Sequence, residues 1–314
     1  MEAEPQLDAG RAHPGNVTEV SPYRAGFVAI GGRTNVGKST LLNQIVGQKV
    51  AIVTPKPQTT RRRIIGVRTD PDAQLILIDT PGLHEPRRPL NRRMVDTARR
   101  CLSEAEVIVA VIEAGRNLND ADRRFLTQVA RFARPAVVAV NKIDLIRRDS
   151  LLPLVEQAHQ AIRGSEIVPV SARTGENVDE LLRVVKPLLP ESRPLMPAEE
   201  YTDQSERMLS EEIVREKLFI GMQQEIPFST AVSIEQFSDD PVRNLTRISA
   251  LIIVERGAHK GMVIGAGGRM LKEIGTQARL ELEQILGRRI FLELHVKVEK
   301  GWTSDPRKLK ELGL

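Results

Sequence analysis

Short apolar runs rich in β-branched residues alternate with stretches of helical period over the first two-thirds of the chain. Gly26–Ile30, Ile64–Thr69, Leu75–Asp79, Val107–Glu113, Ala136–Asn141 and Ile167–Val170 predict strands. Most are apolar on consecutive residues, the mark of strands buried on both faces of a mainly parallel sheet. Amphipathic stretches at 38–47, 90–104, 119–133, 151–163 and 177–188 predict the covering helices. The alternation is the doubly wound α/β pattern, here over residues 23–189. Residues 1–22 are polar, hold Pro5, Gly10, Pro14 and Gly15, and read as a flexible N-terminal tail.

The pattern changes after Pro190. Pro190, Pro194 and Pro197 make 190–203 a semi-rigid linker. A helix with an acidic face follows at 204–221, then strands at 228–237 and 246–255, a helix at 268–286 and a strand at 289–298. This order predicts a small α+β domain over 204–303, with 304–314 as a C-terminal tail.

Composition narrows the class. The longest apolar runs fall well short of the roughly 18 residues that a membrane span needs. The N-terminus lacks an apolar segment of the kind a secretory signal carries. The single cysteine, Cys101, cannot form an internal disulfide, which fits a reducing cytoplasm. The five histidines show no zinc-ligand spacing. Charge is uneven: residues 1–190 carry 28 basic and 21 acidic side chains, 191–255 carry 6 and 13, and 256–314 carry 12 and 7. A basic C-terminal stretch beside an acidic one suits a nucleic-acid face on a small domain, or a solvated surface. Aromatic residues are 3% of the chain, which argues against an RNA platform of stacked rings.

The chemistry sits in motifs. Gly32-Arg-Thr-Asn-Val-Gly37-Lys38-Ser39 matches GxxxxGK[ST] between a predicted strand and a predicted helix, the setting of a phosphate-binding P-loop. Backbone N–H groups from Gly32 through Asn35, Val36 and Gly37 to Thr40 would cradle phosphate, with the helix N-terminus behind them. Lys38 would bridge the β- and γ-phosphates and Ser39 would hold Mg²⁺. Asn141-Lys142-Ile-Asp144 closes a predicted strand, where α/β sheets bind ligands. A carboxylate at Asp144 can accept from guanine N1–H and the exocyclic amine, a donor pair that adenine lacks. Asn141 can reach N7 and tie the loop to the P-loop, and the Lys142 stem can cover the base. The backbone of Ser171, Ala172 and Arg173 can meet guanine O6. Asp79-Thr-Pro-Gly82 ends another strand, with Asp79 placed for Mg²⁺ and Gly82 for the γ-phosphate. Thr59 and Thr60 lie in a polar, proline-rich segment suited to ordering by ligand, and Thr60 is favoured over Thr59 to complete the Mg²⁺ shell. In the second domain, Gly265-Ala266-Gly267-Gly268 forms a GxxG between helical segments. It resembles the nucleotide-clamping loop of a KH domain.

Together these residues resemble the Era-like branch of the translation-factor class of GTPases, a P-loop domain followed by a type II KH domain. The resemblance covers about residues 24–303. It implies slow hydrolysis of GTP to GDP with Mg²⁺, coupled to single-stranded RNA at the 3′ end of small-subunit ribosomal RNA. It implies a part in small ribosomal subunit assembly in the cytoplasm, with no DNA partner and a monomer as the default. It carries Lys38, Thr60, Gly82 and Asn35 over as catalytic positions, and Lys260, Gly261, Ile264, Gly265, Ala266, Gly267, Gly268, Arg269, Lys272 and Ile274 as the RNA face. Ile264 and Ile274 are expected to line an apolar groove.

Three departures stand out. Leu83 occupies the place where Ras-like GTPases carry a water-orienting glutamine, so switch backbone, an Mg²⁺-bound shell, His84, a partner, or K⁺ held through Asn35 must serve instead. Thr34 replaces the family's proline and Ala266 its lysine. The arginines at 87, 88, 92, 93, 99 and 100 read as an RNA contact, a relay or a solvated helix. Other readings are a phosphotransferase, a constitutive RNA binder whose GTPase domain signals elsewhere, and a GTPase at the inner face of the cell membrane, held peripherally because no amphipathic anchor is seen.

Overall fold

In the computed structural model, the described residues are 22–83, 89–147, 149, 151–222 and 226–314. The first domain runs β1 (Arg24–Gly32), α1 (Lys38–Val46), β2 (Ile64–Thr69), β3 (Ala73–Asp79), α2 (Pro89–Glu104), β4 (Val107–Glu113), α3 (Asp120–Val129), β5 (Ala136–Asn141), α4 (Leu151–Ala161), β6 (Glu166–Val170) and α5 (Val178–Val185). The six strands form one sheet in the order β2-β3-β1-β4-β5-β6. All neighbours are parallel except β2 on β3. Every residue of β3 is buried, as its continuous apolar run predicts. Leu41, Leu42 and Ile45 of α1 and Leu181, Leu182 and Val185 of α5 pack on one face of the sheet. Leu102 of α2, Phe125 and Leu126 of α3, and Leu154 of α4 pack on the other. Each such side chain contributes about 1.5–3 kcal/mol on leaving water.

The second domain runs α6 (Glu206–Gly221), β7 (Thr230–Asp240), β8 (Leu245–Val254), α7 (Gly257–Ile264), α8 (Arg269–Leu286) and β9 (Arg289–Val298). Its sheet has the order β7-β8-β9, with β7 antiparallel and β9 parallel to β8. Ser205 caps α6 by accepting from the Met208 N–H, and the α6 and α8 side chains Ile213, Leu218, Ile274 and Leu282 share its core. The fold is thus a P-loop α/β domain followed by a small α+β domain of KH topology.

Two expectations about connections need correction. The stretch expected as a linker lies docked on the first domain. Pro190 accepts from the Ala25 N–H, Val67 donates to the Tyr201 carbonyl, and the buried Gln74 side chain bonds Leu195 and Met196. The stretch expected as a C-terminal tail forms helix α9 (Pro306–Glu311), capped by Asp305. Leu309 and Leu312 are buried with Trp302 against Leu90 and Met94 of α2. Two apolar residues three apart are too few to show a period, so the sequence hides this helix. Nearly all of the expected N-terminal tail, residues 1–21, lies outside the described residues. No helix among the described residues is long and apolar enough to cross a membrane.

Candidate functional site

The P-loop closes around the end of β1. Gly37 sits at φ 98°, where a Cβ would stand 2.2 Å from Asn141 Nδ2. No side chain fits there. Val36 is fully buried, and Lys38 is 6% exposed with its Nζ donating to the Arg33 carbonyl at 2.8 Å. Burial pushes the Lys38 ammonium down to about 8, and the Asp79 carboxylate opposes that shift. Thr34, Lys38, Thr40, Thr60, Gly82 and Lys142 are among the residues lining a cleft of about 370 Å³. That volume suits a small organic ligand.

Three oxygen-bearing side chains meet at the floor. Ser39 Oγ donates to Asp79 Oδ2 at 2.5 Å, Thr60 Oγ1 donates to the same oxygen at 3.1 Å, and the two hydroxyls stand 2.9 Å apart. Asp79 is fully buried, and its Oδ1 has no hydrogen-bond partner. Burial pushes this carboxyl up, against the pull of Lys38 and the two hydroxyls. An orphaned carboxylate oxygen beside two hydroxyls is a hard donor set that fits Mg²⁺. Thr59 points elsewhere, with its hydroxyl against Thr54 and the Lys56 carbonyl.

The base side is wired to the P-loop. Asn141 Nδ2 donates to the Val36 carbonyl at 2.7 Å, and its Oδ1 accepts from the Ala172 N–H at 2.9 Å. Asp144 accepts from Ser171 Oγ at 2.6 Å and pairs with Arg173 at 2.6 Å. The serine bond, aided by Arg173, holds this carboxyl below the ordinary range. Lys142 adopts φ 71° and pairs with Glu113 at 3.0 Å.

In the segment that follows β3, a Cβ on Gly82 would lie 2.6 Å from Thr34 Cγ2, so this glycine lets that segment touch the P-loop. The Leu83 N–H donates to the Gly32 carbonyl at 3.0 Å, and the Leu83 side chain packs on the α2–α3–α4 side of the sheet. Leu83 therefore presents no polar group for a water. Asn35 is in the left-handed region, and its amide donates to the Pro55 carbonyl at 2.9 Å. His84, Arg87 and Arg88 lie outside the described residues.

In the second domain, Lys260 and Gly261 lie on α7 and Ile264 ends it. Gly265, Gly267 and Gly268 take positive φ and turn the chain into α8, leaving Ala266, Arg269 and Lys272 exposed. Ile274 does not line a groove. It is 2% exposed and packs in the core. A groove of about 350 Å³ instead runs between α8 and β9, lined by Leu271, Lys272, Gly275, Thr276, Leu292 and Leu294 among others. The spacing 268, 271, 272, 275, 276, 279 is a helical stripe, and that period could have located it.

Sequence reading missed the contact between the domains. The acidic face of α6 meets the basic segment that ends in Thr60. Glu216 is buried, accepts from the Val53 N–H at 2.8 Å and pairs with Lys49 at 2.6 Å. Ile52 packs in the second domain's core. Arg61 is buried, donates to the Thr230 and Pro227 carbonyls, and lies over the Phe219 ring. Burial, with Arg215 nearby, pushes this guanidinium down. Part of the charge asymmetry along the chain is therefore complementarity between domains.

A model of the 50S ribosome-binding GTPase family matches residues 27–142, and a KH-domain model matches 225–303. The chain is 47% identical to the GTPase Era of Syntrophus aciditrophicus over 291 residues, covering 93% of this chain and 95% of that protein. It is 46% identical to the GTPase Era of a Coxiella burnetii strain over 296 residues, covering 94% and 99%. Among solved structures, a variant of Aquifex aeolicus Era bound to GDP and aluminium fluoride superposes with TM-score 0.89 at 41% identity, covering 92% and 99%. Era in complex with MgGDPNP and nucleotides 1506–1542 of 16S ribosomal RNA superposes with TM-score 0.89 at 42% identity, covering 93% and 99%.

Proposed function

The chain belongs to the Era family of GTPases, and on that premise we propose that it is a switch coupling its nucleotide state to single-stranded RNA at the 3′ end of small-subunit ribosomal RNA. It hydrolyses GTP to GDP and phosphate. Its working place is the assembling small ribosomal subunit in the cytoplasm. One observation carries the reading: the segment that brings Thr60 to Ser39 and Asp79 is also bonded into the domain that holds the GxxG loop.

At the nucleotide, Lys38 and the P-loop amides hold the phosphates. Ser39, Thr60 and Asp79 would hold Mg²⁺, which neutralises charge building between the β- and γ-phosphates. Asp144 selects guanine, and Asn141 locks the base loop to the P-loop. Gly82, in contact with Thr34, senses the γ-phosphate and lets the second switch relax on its release. With Leu83 turned away, water is oriented by backbone and by the charges around it. A side-chain oxygen at Asn35 suits K⁺ as an added positive charge. Hydrolysis faster in K⁺ than in Na⁺ at equal ionic strength is the expected result, and equal rates would remove K⁺ from the mechanism.

At the RNA, the exposed GxxG loop approaches the sugar–phosphate chain while Arg269 and Lys272 meet phosphates, with bases in the α8–β9 groove. The test is the affinity of a short single-stranded oligonucleotide matching that 3′ end, with GDP and then with a non-hydrolysable GTP analogue. A tenfold difference means about 1.4 kcal/mol of coupling. Tight binding that is equal in both states would leave the KH domain constitutive, with the switch addressed to another partner.

A further inference from the structure

The segment ending in Thr60 faces Ser39 and Asp79 on one side. Its other side rests on α6 of the second domain. Thr59 and Thr60 share one peptide unit, which is planar and rigid, so holding the Thr59 carbonyl fixes the orientation of the Thr60 N–H. That carbonyl accepts from Arg215 Nη1 at 2.6 Å. The neighbouring Thr60 side chain is then directed at Ser39 and Asp79.

Arg215 is itself braced. It is 4% exposed, pairs with Glu212 through Nε and Nη2 of its guanidinium, and lies 5.3 Å from the centre of the Phe219 ring. Phe219 is fully buried and carries Arg61 at 5.6 Å as well. A guanidinium fixed by a carboxylate and a ring has little freedom, so Nη1, the nitrogen that Glu212 leaves open, is aimed. Burying such a charge is costly, and a well-packed apolar residue would serve stability as well or better. The cation is therefore explained by what it grips. Each flank of the grip is also tied to this domain: Glu216 holds Val53 on one side, and Arg61 is anchored on Thr230 and Pro227 on the other.

We propose that Arg215 is a positioning residue of the GTPase site, supplied by the second domain, which sets the Thr59–Thr60 peptide so that the Thr60 hydroxyl faces Ser39 and Asp79. The inference rests on the reading that Thr60 helps to hold Mg²⁺ in the triphosphate state. α6 shares its core with α8, the helix that lines the groove proposed above for RNA. A shift of that domain therefore changes the grip on Thr60, and hydrolysis feels the RNA face through Arg215.

The test uses the full chain carrying Arg215→Gln, Arg215→Lys or Thr60→Ala. GDP affinity, kcat, KM for GTP and the Mg²⁺ concentration for half-maximal hydrolysis are measured, with melting as a check on folding. Loss of a hydrogen bond from a charged donor predicts that Arg215→Gln lowers kcat about tenfold and raises the Mg²⁺ requirement. GDP affinity should stay within about twofold, since a diphosphate does not recruit Thr60. Arg215→Lys, which keeps a cationic donor, should fall between wild type and Arg215→Gln. A folded Arg215→Gln with unchanged kcat and Mg²⁺ requirement, beside an impaired Thr60→Ala, overturns the role of Arg215 alone. An unimpaired Thr60→Ala overturns the reading beneath it. Parallel loss of GDP and GTP binding with a lower melting point assigns Arg215 a purely structural part and overturns the proposal. If Arg215→Gln does not fold, Glu212→Gln removes the brace and keeps the cation. It should lower kcat with GDP affinity unchanged, and an unchanged kcat there overturns the proposal.

Discussion

At the residue scale, Lys38 offers a measurable sign of how the site is prepared. Burial lowers its ammonium to about 8, from the ordinary 10.5. The unfolded chain then binds that proton more tightly than the folded one between those values. The nucleotide-free protein is relieved of a buried charge, and so gains stability, as pH rises through that window. Phosphate reverses the balance by favouring the charged amine. Binding GDP at pH 9 should take up about one proton, and near pH 6.5 Lys38 should contribute none. Calorimetry in buffers of different ionisation enthalpy reads this directly, and equal proton counts at both pH values would exclude it. Above pH 8, GDP affinity should fall accordingly. Asp144 carries the other residue-scale prediction. Asp144→Asn replaces an acceptor by an amide facing two guanine donors, and it strips Arg173 of its partner. GTP affinity should fall by about two orders of magnitude, while xanthosine triphosphate, which carries a carbonyl where guanine has its amine, should bind better than to wild type. Unchanged nucleotide preference in a titration would place base selection elsewhere.

At the scale of elements, α9 is the piece whose value to the fold is easiest to test. Leu309 is fully buried between α2 and the second sheet. Leu309→Ala should cost about 2–5 kcal/mol, read as a lower urea midpoint with the slope kept. A loss under 0.5 kcal/mol would mean that α9 is not held there. The contrast with other elements shows what a sequence displays. Strands buried on both faces, as in β3 and β4, announce themselves because each residue obeys one rule. The P-loop and the Asn141–Asp144 turn are legible as motifs because spacing along the chain defines them, and the structure ties the two together through the Asn141 side chain. Helix α9 is not, since it is short and most of its partners, Leu90 and Met94 of α2 and Ala231 and Ile253 of the second sheet, lie far from it along the chain. Ile274 was misplaced for a related reason. It faces the core through a helical turn, and the groove lies on the adjacent stripe of α8. The acidic face of α6 was visible as charge, but its partner was set only by tertiary structure. Glu212 and Glu216 look solvated in sequence and are buried against the first domain.

At the scale of the molecule, the second domain is docked both on the segment that ends in Thr60 and on α2. Helix α6 holds the segment ending in Thr60, while Trp302 and α9 hold α2, the helix that follows the Gly82 segment. On the proposed function, a movement of either segment moves the interface directly. Trp302 reports on this arrangement. It is the only tryptophan of the chain, is 1% exposed, and donates to the Ser229 carbonyl at 3.2 Å. Exchanging GDP for a non-hydrolysable GTP analogue should alter its emission if α2 moves against the second domain, and adding the RNA oligonucleotide should alter it again. The two effects are bound by reciprocity. If the analogue tightens RNA binding tenfold relative to nucleotide-free protein, RNA must tighten the analogue tenfold, because both describe one coupling free energy of about 1.4 kcal/mol. Titrating each ligand in the presence and absence of the other, with Trp302 emission as the signal, closes the cycle. Equal coupling factors with a shifted emission place the coupling at this double interface. A cycle that is coupled when read from a fluorescent label on the oligonucleotide, with Trp302 emission unchanged, would leave the contact of α6 with the segment ending in Thr60 as the route.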